Sequence, residues 1–171
     1  MLGISAVPGV DVVTFGGSGN GVRLLDGGLE VASVPAPASY PSIAMLSTGA
    51  SLLVWTDDLD SNLENGYELL YAQRYSEGLQ PIGEAVTLVI GQNIVRPIVA
   101  STADKYFVSW QGGDPDNSVV FGQVVGANGA PIGTPVQLDS SGNGPQSSPA
   151  IDILPDGRLL SVWRDGNGLG A

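Results

Sequence analysis

The chain has 171 residues, within the usual range for one compact domain, and 43% of them are hydrophobic, which excludes a disordered polar chain. Six Lys plus Arg stand against seventeen Asp plus Glu, a formal charge of −11 that repels phosphate backbones and offers no basic face to an anionic membrane. With no cysteine and no histidine, disulfides, thiolate chemistry, Ser-His nucleophiles and imidazole metal ligands are all excluded.

From the N-terminus, "VDVVTFGGSGNGVRLL" and "LEVASV" read as short strands separated by glycine-rich turns, with Phe15 near the end of the first. The stretch Gly16 to Gly21, "GGSGNG", follows a strand and precedes "VRLL". It therefore lacks the helix N-terminus that a phosphate-cradling loop needs, and reads as a hairpin. The opening "MLGISAVPGV" carries neither a basic segment nor a long apolar one, so an export signal is expected outside this chain. No apolar run approaches the ~20 residues of a spanning helix, so no membrane insertion is expected.

The next segment, "PSIAMLSTGASLLVW" from Pro41, is written three times. It returns as "PIVASTADKYFVSW" from Pro97 and "PAIDILPDGRLLSVW" from Pro149. These prolines precede Trp55, Trp110 and Trp163 by 14, 13 and 14 residues, and the middle unit has the shorter turn. Past the tryptophan, Gln73 and Gln123 lie in matching runs, "LLYAQRY" and "VVFGQVV", followed by "PIGEAVTL" and "PIGTPVQL". The result is an internal repeat of a little over fifty residues. It divides the chain into a partial unit 1–40, full units 41–96 and 97–148, and a partial unit 149–171. In the partial first unit Phe15 takes the place of the tryptophan.

Each full unit holds four runs rich in Val, Ile, Leu, Phe and Tyr, bounded by turn residues. Thr48-Gly49, Asn128-Gly129 and Asp156-Gly157 supply the positive φ that tight hairpins require. No window has helical periodicity free of Gly or Pro, so the chain is all-β. Four antiparallel strands at this period predict β-propeller-like blades, about three of them, against the four to eight of a typical propeller. The expectation is a piece of a longer repeat protein, with half of a self-associating six-bladed ring or an open stack as the alternatives. The last two strands are expected to complete the sheet that the N-terminal strands leave unfinished, joining the ends.

The recurring tryptophans, with Phe15, are expected to fill the gaps between twisted sheets. Buried amides of Gln73 and Gln123 are expected to satisfy backbone groups between blades. The most suggestive polar stretch follows Trp55: Asp58, Asp60, Asn62 and Glu64 alternate, so an extended backbone could turn several oxygens toward one Ca²⁺. Corresponding loops carry Asp114 and Asp116, and Asp165. The alternative is a solvated hairpin loop kept soluble by its acids.

"SLLVWTDD", "YAQRYSEGLQPIGEAV" and "FGQVVGANGAPIGTPVQL" resemble the fifty-residue repeats of large secreted bacterial proteins, including RTX-type adhesins. That resemblance implies an extracellular or cell-surface, non-enzymatic module, a binding platform or spacer. Its partners would be carbohydrate or protein at the blade loops, with no nucleic acid. It carries over no catalytic residue. "SSPAIDILPDGRLLSVW" is also similar to the opening strands of sialidase-like propellers, in which "R-I-P" precedes such a hairpin. Here Ser147 and Ser148 precede Pro149, and Arg96 stands directly before Pro97. This second likeness implies the alternative of a glycosidase fragment.

Overall fold

The computed structural model describes residues 13–15, 22–26, 29–34, 38–58, 67–139 and 144–166. Hairpin chemistry decides most of it. At Leu46–Ala50, Ser76–Gln80, Gly126–Ala130 and Leu154–Arg158 the chain makes the same three-residue hairpin. The first residue's amide donates to the carbonyl four residues on, and the fourth donates back to the first. The fourth residue must then take positive φ, the conformation of the bulge that ends such turns. Gly49, Gly129 and Gly157 sit there at φ 82°, 79° and 82°, and Leu79 takes the same place at 57°. The middle unit turns one residue sooner, through Thr102 N to Lys105 O at 2.8 Å.

These turns fold the chain into antiparallel sheets. Strands β1 (Val13–Phe15), β2 (Val22–Asp26) and β3 (Leu29–Val34) form one three-stranded sheet in chain order. A four-stranded sheet follows, β4 (Ser39–Met45), β5 (Ser51–Asp58), β6 (Tyr67–Tyr75) and β7 (Pro81–Gln92). A second consists of β8 (Val95–Ser101), β9 (Lys105–Gly112), β10 (Val119–Gly126) and β11 (Pro131–Gln137). The last pair, β12 (Gln146–Ile153) and β13 (Leu159–Asp165), stands as a two-stranded sheet. One 3-10 turn, Pro115–Asn117, interrupts the β structure between β9 and β10.

The expected joining of the ends is not present among the described residues. The sheet of β1, β2 and β3 and the sheet of β12 and β13 stand separately, with β12 and β13 paired only to each other. The two-stranded sheet therefore keeps β13 as an edge.

The two four-stranded sheets share a core. Leu52, Val54, Leu70 and Ala72 of the first pack with Val99, Tyr106, Val108, Trp110 and Val125 of the second, and Ile94 fills the link between them. Leu52, Val54, Leu70, Val108 and Val125 have no exposed surface. Burial of each such side chain contributes about 1.5–3 kcal/mol, so this seam is a main source of the fold's stability. The Tyr106 hydroxyl donates to Ala50 O at 3.0 Å across the seam. Burial raises the pKa of Tyr106, against a lowering from the nearby Arg74 charge, and also raises that of Tyr75. On the opposite face of the first sheet, Leu53, Trp55, Tyr75, Leu79 and Ala38 form a second buried cluster.

Candidate binding site at the strand starts

The first strand of each of the last three sheets begins with the same irregularity. Between Ser39 and Ser42, Val95 and Ile98, and Ser147 and Ala150, three steps of chain pair against two on the neighbouring strand. Each is a β-bulge, and each faces a tryptophan: Trp55, Trp110 or Trp163. The bulged dipeptides are Tyr40-Pro41, Arg96-Pro97 and Ser148-Pro149. A bulge breaks the ladder, so proline, which has no N–H to donate, costs nothing there. The fixed spacing from proline to tryptophan is the register of this bulge.

The residue before each proline bears the strain. Tyr40, Arg96 and Ser148 have φ of 52°, 53° and 54°. Side chains other than glycine rarely occupy this left-handed region, and a following proline pushes its predecessor toward extended backbone. Such a residue costs of order 1–3 kcal/mol. All three side chains are exposed, Tyr40 by 48%.

Hydrogen bonds between sheets line these starts up. Val99 N donates to Ser42 Oγ at 3.1 Å and Ser101 Oγ to Met45 O at 2.7 Å, holding β8 beside β4. Arg96 Nη1 donates to Ser148 Oγ at 2.6 Å, linking β8 to β12. A phenol, a guanidinium and a hydroxyl are therefore presented from one structural position on three adjacent strands. At the same end, a cleft of about 350 Å³ opens between the two large sheets, lined by Tyr67, Ile90, Ile94, Trp110 and Phe121 among others.

Trp55 stacks on Tyr71 with centroids 5.4 Å apart, and Trp110 on Phe121 at 5.8 Å, each across a strand pair. Both indoles are buried, whereas Trp163 is half-buried in the two-stranded sheet, which has no third strand to supply that stacking ring. Phe15 lies in β1, where it pairs with Leu24. Gln73 and Gln123 are buried, but their amides act inside one sheet and not between sheets. Gln73 Nε2 donates to the carbonyls of Arg74, Ile82 and Gly83, and Gln123 Nε2 to those of Val124, Ile132 and Gly133. The reason is the "PIG" turn: Gly83 and Gly133 have φ of 72° and 73°, which pulls their carbonyls out of the ladder and toward the glutamine.

Of the proposed calcium ligands, Asp60, Asn62 and Glu64 lie outside the described residues. Asp58 ends β5, its backbone opposite Glu68. In the corresponding loops, Asp114 Oδ1 accepts from Asp116 N at 2.8 Å, capping the 3-10 turn, and Asp165 Oδ1 accepts from Gln146 Nε2 at 3.1 Å. Among the described residues no three acidic side chains converge as cation ligands. "GGSGNG" also lies outside the described residues. Sequence reasoning missed Tyr40, Arg96 and Ser148 as a set. The available signal was that the residue before each repeated proline changes its chemistry from unit to unit.

No protein-family model matches the chain, and no curated protein is detectably similar to it in sequence. Among solved structures it is similar to an endo-arabinase from Bacteroides thetaiotaomicron VPI-5482, with a TM-score of 0.52 and 14% identity over 86% of this chain. The chain spans 62% of that protein. At this identity the likeness is one of fold.

Proposed function

We propose that the chain is a propeller-like repeat module that binds carbohydrate at the starts of its first strands. The observation that carries this reading is the row of exposed, backbone-strained residues Tyr40, Arg96 and Ser148. An exposed phenol ring stacks on sugar, while a guanidinium and a hydroxyl hydrogen-bond to its oxygens. These groups recognise a ligand. None supplies the paired carboxylates of glycoside hydrolysis.

The propeller-like arrangement is supported by how the sheets meet. Each contacts the next through its first strand, as β4 meets β8 and β8 meets β12. Leu160 and Val162 of β13, counted back from the tryptophan, correspond to Leu52 and Val54, which the second sheet covers. Leu160 and Val162 are instead 48% and 56% exposed, an apolar face of the kind on which a further sheet stacks.

Affinity electrophoresis through gels containing arabinan, pectin or starch tests the binding, with reducing-end release measured on the same polymers. Retardation by at least one acidic or neutral plant polymer without release of ends is the expected result. Retardation by none contradicts binding. Release of ends would support the second reading, a glycosidase fragment, which the fold likeness to an endo-arabinase favours.

A further inference from the structure

We infer that a cleft between the two large sheets, at their hairpin end, holds a compact aliphatic carboxylate. Arg74 binds the carboxylate group and the apolar wall covers the alkyl body. This site stands apart from the strand-start row. β6 runs from Tyr67, opposite Gln92, to Tyr75, opposite Ser51 at the beginning of β5. Arg74 therefore lies at the other end of the sheet from Ser39 and its partner Thr56.

Packing sets the course of the arginine. A Cβ added at Gly129 would stand 2.6 Å from Arg74 Cδ and 2.9 Å from Cγ, so the stem crosses the seam and lies directly on the second sheet's turn. The guanidinium that it delivers is unmatched. Nε is buried with no hydrogen-bond partner, and among the described residues the group makes no hydrogen bond and no ion pair. A buried charged donor without an acceptor is costly, and such a group calls for a partner that the chain itself does not supply. Nε is the only nitrogen of the three that is shut away, which leaves the two terminal nitrogens to meet the two oxygens of a carboxylate.

The cleft beside this group has a volume of about 200 Å³ and is walled by Leu52, Ala72, Ile82, Val86 and Pro131. Ile82 and Val86 are 38% and 42% exposed, apolar surface that a bound alkyl group would remove from water. Glu84 also lines the cleft but makes no ion pair with Arg74. A carboxylate on a short hydrocarbon body satisfies the arginine and the wall together. A bare or doubly charged anion leaves the wall wet and meets repulsion from Glu84.

The repeat supplies an internal comparison. With Gln73 aligned on Gln123, Arg74 falls where the second unit has Val124, and "PIGE" against "PIGT" places Glu84 where it has Thr134. The same strand and turn form there without either charge. Both charged residues of the cleft thus depart from the repeat at positions where the fold requires no charge, and they line one space.

NMR titration of the whole chain with 4-methylpentanoate, its neutral amide and inorganic phosphate tests the site. The carboxylate is expected to bind at least tenfold more tightly than the amide, and less tightly as salt is raised, because a partly exposed charge pair is screened. Arg74→Val should lose at least tenfold for the carboxylate. Arg74→Lys, which keeps the charge and loses the fork, should recover only part of it. Amide bound as tightly as the carboxylate, carboxylate bound equally by Arg74→Val, or no binding of either overturns the inference. Phosphate displacing the carboxylate at equal concentration reduces the cleft to an anion site and overturns it too. So does a melting temperature lowered alike by Arg74→Val and Glu84→Gln, because the two side chains would then be pairing with each other. Melting curves of Arg74→Val and Arg74→Lys that match the parent keep a loss of binding from being a loss of fold.

Discussion

Tyr40, Arg96 and Ser148 separate two demands that usually coincide at one residue. The backbone demand is set by the bulge, and it would be met at least cost by glycine. Tyr40→Gly is therefore expected to stabilise the chain by about 1 kcal/mol, the released strain less the greater freedom of the unfolded chain. For a chain of this size that is roughly 2–4 °C in melting temperature. A thermal melt that falls instead would show that the tyrosine ring contributes packing and that the position is not held against its own strain. Sequence made the proline at this bulge legible and hid the residue before it. The expected conformation before proline is extended, and the left-handed exception shows only in the ladder that skips a residue.

Within each four-stranded sheet, the third and fourth strands are joined at an interruption that a glutamine repairs. The turn glycine at φ 72° or 73° bends the fourth strand, and the buried amide then collects the displaced carbonyls. Gln123→Ala leaves the carbonyls of Val124, Ile132 and Gly133 without this donor, at a cost of about 1–3 kcal/mol. Urea unfolding measures it, and an unchanged midpoint would mean that water replaces the amide. The hairpins at Gly49, Gly129 and Gly157 were readable because only a few residues tolerate positive φ. The glutamine's partners were not. A periodicity marks a side chain as buried without saying whether its polar end turns along its own sheet or toward the next. Leu79 also escaped notice, because a leucine at a glycine position carries no turn signal and is instead held by the cluster of Leu53 and Trp55.

At the scale of the molecule, the sheets stand side by side because each is apolar on both faces. Leu52 and Val54 look toward the second sheet while Leu53 and Trp55 look away from it, so one sheet alone cannot shield itself. That alternation of buried residues on both faces was legible in the repeat and led directly to stacking. Closure was not legible, because it depends on which outer strand edges meet, and among the described residues β12 and β13 pair only with each other. The acidic loop after Trp55 stays an expectation, its central residues lying outside those described. The stack and its row of strand starts carry every functional statement made for the chain. Isotope-edited NMR of the labelled protein tests them most directly. The account predicts cross-peaks from the Val99 amide to the Ser42 β-protons and from the Arg96 side chain to those of Ser148. Assigned, well-dispersed signals for these residues without either cross-peak would contradict it.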